Sequence, residues 1–354
     1  MSQPNILFVM ADQLSALALP MYGHPVVKTP ALSALADRGL VFENAYCNFP
    51  LCGPSRQSMM CGKLPSRCGA YDNATMLASD QPTFAHYLAS AGYKTCLSGK
   101  MHFVGPNQMH GFGERLTTDV YPADFGWTPD WTADPSTATF QDTRNVFETG
   151  PCARSMQLDY DEDTAYQAER WLFDQARKDG PWMLTVSFTH PHDPYQATPE
   201  FWDLYDDSDI DLPALGFEDV ETDAHSARIR SHYSIDQAKV DDNTLRRMRH
   251  GYYAAISYID AKVARLVQVL EQSGMDKNTI IIFTSDHGDM MGERGLFYKK
   301  SFWEWSARVP MIVAGPGIKP GRKSQPVSLI DLLPTFCEIA DVQPLDADGQ
   351  SLLS

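Results

Sequence analysis

Short apolar runs that close on polar residues recur along the chain, at residues 5–10, 95–98, 183–188, 279–284 and 310–314. Each has the length of a strand. Between them, apolar positions return at helical spacing over residues 30–38, 83–91 and 163–177. Strands alternating with helices predict an α/β fold, a large and mainly parallel sheet covered by helices on both faces. The clearest helix is predicted over about residues 245–273, where Tyr253, Ile256, Ile259, Val263, Leu266, Val269 and Leu270 make one apolar stripe and Gly274 supplies the stop. It leads straight into the strand of "NTIIIFTSDHGD".

Residues 201–244 break this rhythm. The stretch "DLYDDSDIDLPALGFEDVETDAHSARIRSHYS" is acidic, carries Pro and Gly and holds no sustained period. It reads as a long excursion from the core, a lid or an oligomer contact. Near the end, "DADGQSLLS" places Leu352 and Leu353 side by side. Such a pair predicts a packing contact or a continuation of the chain, with a frayed tail as the alternative.

Composition sets the outer limits. With 354 residues, 43% of them hydrophobic, the chain can build one large packed domain or two ordinary ones. Lys and Arg number 29 against 45 Asp and Glu, a net charge of −16. That balance repels nucleic-acid phosphates and anionic membrane surfaces, so neither is an expected partner. An anionic substrate must therefore find a local cationic pocket. The opening "MSQPNILFVMADQ" lacks a basic leader region, and no stretch approaches the roughly 18 apolar residues that span a bilayer. A cytoplasmic location is expected. Seven scattered cysteines, an odd number, fit reduced thiols better than a disulfide framework. Cys47, Cys96 and Cys337 sit among apolar neighbours and read as core fillers, while Cys61 and Cys68 lack a zinc-type spacing.

In an open parallel sheet, ligands bind beyond the carboxyl ends of the strands. There the sequence supplies Asp12 and Gln13, then Lys100 and His102, then His190, His192 and Asp193, and finally Asp286, His287 and Asp289. One aspartate after a strand is commonly a helix cap. Four such ends together are hard to assign to capping. Asp12, Gln13, Asp286 and His287 form a hard donor set suited to Ca²⁺, Mg²⁺ or Mn²⁺. Arg56, Lys100 and either Lys299 or Lys300 could complete a cationic pocket for a tetrahedral oxyanion.

Two motifs give this pattern a family. "CGPSR" at 52–56 and "GYKTCLSGKMH" at 92–102 resemble the two signatures of the sulfatases, in the right order and at the right separation. Asp12-Gln13, His192-Asp193-Pro194, and "TSDHGDMMGERG" followed by Lys299 also fall where that family has them. Within it the chain is most similar to the bacterial choline-sulfatase subgroup, through "LSGKMHFVGPNQMHGFGERLTTDVYPADFGWTPD" and "SFTHPHDPY".

The resemblance implies an alkaline-phosphatase-like three-layer sandwich, with residues 1–345 as the sulfatase catalytic domain, 346–354 as a tail and the usual C-terminal subdomain missing. It implies that a formylglycine-generating enzyme converts Cys52 to Cα-formylglycine, the nucleophile once hydrated. One divalent ion, Ca²⁺ before Mn²⁺ or Mg²⁺, would be held by Asp12, Gln13, Asp286 and His287. Arg56 and Lys100 would hold the diol, and His102 would accept its second proton. His192 and Lys299 would meet the sulfate and its bridging oxygen, the family's spacing selecting Lys299 over Lys300. Asn73, in "YDNAT", would lie near the substrate. Trp127, with Phe125 and Trp131 beside it, would offer an aromatic face to a quaternary ammonium. Beyond it the chain departs from the subgroup: "WTADPSTATFQDTRNVFETGPCARSM" stands where a His-Asn pair contacts choline, and Asn145 is the candidate for the asparagine.

The implied reaction is hydrolysis of a small alkyl sulfate ester, choline sulfate first. A phosphonate or phosphate ester hydrolase shares the metal set and the aldehyde, but such enzymes have uncharged groups where Lys100 and His102 stand. A truncated, non-catalytic paralogue is the third reading. The subgroup's tail, which reaches a neighbouring subunit's pocket, implies a homo-oligomer.

Overall fold

Residues 3–120, 132 and 142–354 are described in a computed structural model. β1 (Asn5–Ala11) is buried at every position, which suits a central strand covered on both faces. Its side chains alternate between two cores: Leu7, Val9 and Ala11 enter one, and Ile6, Phe8 and Met10 the other.

The remaining strands of the main sheet are β2 (Leu40–Phe42), β3 (Lys94–Gly99), β4 (Glu114–Arg115), β5 (Trp182–Ser187), β6 (Thr279–Ser285), β7 (Met311–Ala314) and β8 (Gly321–Lys323). They lie in the order β8-β2-β7-β6-β1-β5-β3-β4. Only β7 runs against the others, antiparallel to both β6 and β2. The sheet is mainly parallel, as expected.

Among the described residues the helices of seven residues or more are α1 (Pro30–Asp37), α2 (Cys52–Cys61), α3 (Phe84–Ser90), α4 (Met156–Gln175), α5 (Ala224–His232), α6 (Asp242–Gln272) and α7 (Leu332–Ile339). Buried residues of α1, α4 and α6 join the core on the Leu7 face. Those of α2, α3 and α7 join the core on the Phe8 face. On that side Phe8 meets Phe84 and Phe336 edge to face, with ring centroids 6.1 and 5.3 Å apart. The result is three layers.

Departures from expectation are local. α4 begins at Met156, well ahead of its apolar period, because the Ser155 hydroxyl caps it by accepting from the Leu158 N–H. The 201–244 excursion contains α5, capped by the Asp223 carboxylate. Cys47, Cys96 and Cys337 are buried fillers, and all seven thiols are free. Leu352 is 2% exposed and packs into the Phe8-side core, the packing contact that the apolar pair predicts. Among the described residues no helix is long and apolar enough to cross a membrane.

Register decides where the chemistry goes. Met10 and Gly99 both pair with Ser187, and Ala11 pairs with Ser285. The four strands β3, β5, β1 and β6 therefore end level, and the residues after them share one edge.

Candidate active site

The strand ends and the start of α2 meet at that edge. Cys52 is the first residue of α2, and Pro54 sits in the first turn, where its missing N–H has no helical partner to lose. The Gly53 N–H donates to Asn73 Oδ1 at 2.9 Å. A Cβ on Gly53 would lie 3.2 Å from Asn73 and Asp72 atoms, so glycine allows this close approach.

Around the thiol the ligand atoms of Asp12, Cys52, Asp286 and His287 all lie within 4.8 Å of one another, and all four residues are buried. Cys52 Sγ is 3.1 Å from His287 Nε2 and 3.8 Å from Asp12 Oδ1. His287 Nδ1 donates to the Gly288 carbonyl at 3.0 Å, so Nε2 is the ring nitrogen that faces the thiol. Asp286 Oδ1 accepts the N–H groups of Gln13 at 3.0 Å and His287 at 2.9 Å.

Cations surround these acids. Arg56 is fully buried and donates to Asp286 Oδ2 at 2.8 Å, Asp12 Oδ2 at 3.1 Å, the Lys100 carbonyl at 2.7 Å and Ser187 Oγ at 2.9 Å. The Lys100 ammonium pairs with Asp12 Oδ2. Burial and the Asp12 carboxylate push the Cys52 thiol up, but Lys100, Lys299 and His287 outweigh them and hold it well below the usual thiol range. Asp12 is likewise held well below the carboxylate range, Lys100 and Arg56 overriding the cost of its burial.

Opposite them, the Lys299 ammonium donates to Gln13 Oε1 and lies 2.8 Å from His192 Nε2. His192 Nδ1 donates to the Asp193 carbonyl at 2.8 Å, so Nε2 is the acceptor. His102 Nε2 donates to the Asn73 carbonyl at 2.8 Å. Burial and Lys100 lower the His102 pKa, which keeps its ring neutral. Gln13 and His102 both adopt positive φ, 65° and 62°, a strained backbone of the kind that collects at functional sites.

The structure thus brings Asp12, Gln13, Cys52, Arg56, Lys100, His192, Asp286, His287 and Lys299 into one linked cluster, with Asn73 and His102 at its border. Lys300 turns away, its ammonium 3.1 Å from His232 Nε2 and 4.8 Å from the Tyr233 ring centroid. His190 is taken up by Asp161 at 2.7 Å and lies against Tyr258. The Asn145 amide donates to the Asp193 carboxylate. Trp127, Phe125 and Trp131 lie outside the described residues. Sequence reasoning missed Ser187 and Asp161. Ser187 looks like any strand serine, and Asp161 sits mid-helix in α4 with no local signal.

The sulfatase family model matches residues 4–342. The chain is 46% identical to the choline-sulfatase of Rhizobium meliloti, over 99% of this chain and 71% of that protein. It is 30% identical to arylsulfatase K of Rattus norvegicus, over 99% of this chain and 62% of that one. Among solved structures, the phosphonate monoester hydrolase of Silicibacter pomeroyi superposes with a TM-score of 0.78 at 26% identity, covering 99% of this chain and 76% of its own. A 2-O GAG sulfatase superposes with a TM-score of 0.75 at 23% identity, covering 99% and 74%. The three layers are those of the alkaline-phosphatase-like fold. With a match that runs nearly end to end, this chain belongs to the sulfatase family and is a sulfuric ester hydrolase.

Proposed function

We propose that the protein hydrolyses a small alkyl sulfate ester, choline sulfate to choline and sulfate, using Cys52 matured to Cα-formylglycine by a formylglycine-generating enzyme. The observation that carries this reading is the buried Cys52 side chain at the head of α2, within reach of Asp12 and His287. The 46% identity to a Rhizobium meliloti protein named choline-sulfatase supports the choice of ester.

Asp12, Gln13, Asp286 and His287 fit a divalent cation. Two carboxylates and an imidazole nitrogen converge in one buried cluster, and buried Gln13 would add its amide oxygen, an oxygen-rich hard set that suits Ca²⁺, Mn²⁺ or Mg²⁺. Such an ion, when bound, supplies the positive charge that acidifies a nucleophilic hydroxyl and neutralises sulfuryl oxygens. The hydrated aldehyde supplies two hydroxyls on one carbon, one to bond sulfur as the alcohol leaves and one whose deprotonation restores the aldehyde and frees sulfate.

The chain's own residues would divide the remaining work. Arg56 spends four of its N–H bonds on protein atoms, which leaves a single N–H for the diol. It would act mainly by fixing Asp12 and Asp286. Lys100 would bring positive charge to the nucleophile beside Asp12. His102, kept neutral by burial and Lys100, is in the right state to accept the second hydroxyl's proton. An alkoxide such as choline's is a poor leaving group and needs a proton. The Lys299 ammonium, 2.8 Å from His192 Nε2, would supply it, and His192 would hold that ammonium beside the bridging oxygen.

Sulfate release from choline sulfate is the test. Wild-type protein should release it, Cys52→Ala should lose essentially all turnover, and the intact mass of the active form should fall about 18 Da below the thiol mass. Full turnover in Cys52→Ala removes the proposal. Phosphonate ester hydrolysis is the second reading, given the fold shared with a phosphonate monoester hydrolase. Faster turnover of an aryl phosphonate monoester than of an aryl sulfate would favour it.

A further inference from the structure

We infer that Asp289 is a positioning residue which dictates which end of the Gln13 side chain faces the proposed metal centre. This rests on the reading of Asp12, Gln13, Asp286 and His287 as the cation's ligands. A primary amide has an acceptor at one end and donors at the other, and only its neighbours decide which way it points. On one side of Gln13 stands the Lys299 ammonium, a pure donor, against Oε1. On the other, Nε2 donates to Asp289 Oδ2 at 2.5 Å and to Asp193 Oδ1 at 3.1 Å.

Asp289 is itself immobilised. Its Oδ1 accepts the backbone N–H groups of Met291 and Tyr298, each at 3.0 Å, and its Oδ2 also accepts the Tyr195 hydroxyl at 2.7 Å. Four donors converge on one fully buried carboxylate, the pattern an ionised acceptor requires. It cannot rotate without leaving two buried backbone N–H groups unpaired. The amide nitrogen of Gln13 is therefore pinned toward Asp289 and Asp193, which leaves its carbonyl oxygen as the end free to face the cation. The same contact explains why a neutral glutamine stands at position 13: a glutamate there would set its charge against both Asp289 and Asp193.

A four-protein cycle tests this on the full chain, with Mn²⁺ binding measured by EPR and folding checked by thermal melting. Asp289→Asn sets one amide against another and should weaken Mn²⁺ binding at least tenfold. In the double variant that adds Gln13→Glu, the amide introduced at position 289 can donate to one glutamate oxygen while the other takes the inward place. Affinity should then return to within threefold of wild type, the added ligand charge offsetting the repulsion that Asp193 still exerts on the outer oxygen. Gln13→Glu should improve binding at least tenfold more in the Asp289→Asn background than in the wild-type background, a coupling that loss of a purely structural carboxylate would not produce. Unchanged affinity in Asp289→Asn, or additive effects across the cycle, overturns the inference. If Asp289→Asn does not fold, the double variant decides, since affinity tenfold below wild type overturns the inference and near-wild-type affinity supports it. Failure of the underlying reading looks different: His287→Ala would then bind Mn²⁺ as well as wild type does.

Discussion

Arg56 shows how much one side chain can organise. Its planar fork meets two carboxylates, a carbonyl and a hydroxyl while remaining fully buried. Without it, Asp12 and Asp286 would lose their shared counter-ion in a site closed to water. Breaking a buried ion pair of this kind costs about 3–5 kcal/mol. Urea denaturation in the presence of EDTA should show a loss of that order for Arg56→Ala. Arg56→Lys should recover only part, because one ammonium cannot span both acids and Ser187; a lysine variant as stable as wild type would contradict this. The arginine was legible from the "CGPSR" motif, and the carboxylates from their places after strands. Their mutual arrangement was not legible, since it depends on Ser187 and on the register that levels four strand ends.

Among the secondary-structure elements, the excursion over 201–244 separates what pattern can show from what it cannot. α5 buries only Ser226 and Ile229, so no apolar period announces it. It docks through polar contacts instead. The His225 ring donates to the Lys300 carbonyl at 2.8 Å, and the Lys300 ammonium donates to His232 Nε2 at 3.1 Å. Burial and Lys299 bring the Lys300 pKa down to about 8, and burial and Lys300 lower that of His232. A histidine whose pKa is lowered on folding binds its proton more weakly in the folded state, so docking is favoured above the ordinary value of 6.5 and weakened as pH falls through it. Protonation removes the acceptor and sets two cations side by side. Limited proteolysis within 201–244 should accelerate severalfold between pH 7.5 and pH 5.5, and His232→Gln should flatten that dependence. An equal pH response in His232→Gln would show that another group controls the contact.

The central layers of the protein were readable because β1, β5, β6 and β7 are dominated by apolar residues, whereas β2, β4 and β8 are two or three residues long and too short to hold a period. Net charge acts at longer range still. At −16 the protein surrounds its cationic site with a repulsive field. An aryl sulfate is a monoanion and must enter against that field. Choline sulfate carries one charge of each sign, so its net coupling to a distant potential is close to zero. The field reaches about 30 Å at 0.01 M salt and about 8 Å at 0.15 M. Raising salt between those limits should therefore increase kcat/KM for 4-nitrophenyl sulfate, on the order of a few-fold, and leave that for choline sulfate nearly unchanged. The effect survives slow chemistry, because the potential sets the equilibrium concentration of anion at the site and so enters through KM. A fall in kcat/KM for the aryl ester would mean that Arg56, Lys100 and Lys299 project beyond the pocket and outweigh the acidic shell. An equal rise for choline sulfate would mean that its sulfate approaches first, with the ammonium too distant to cancel the repulsion.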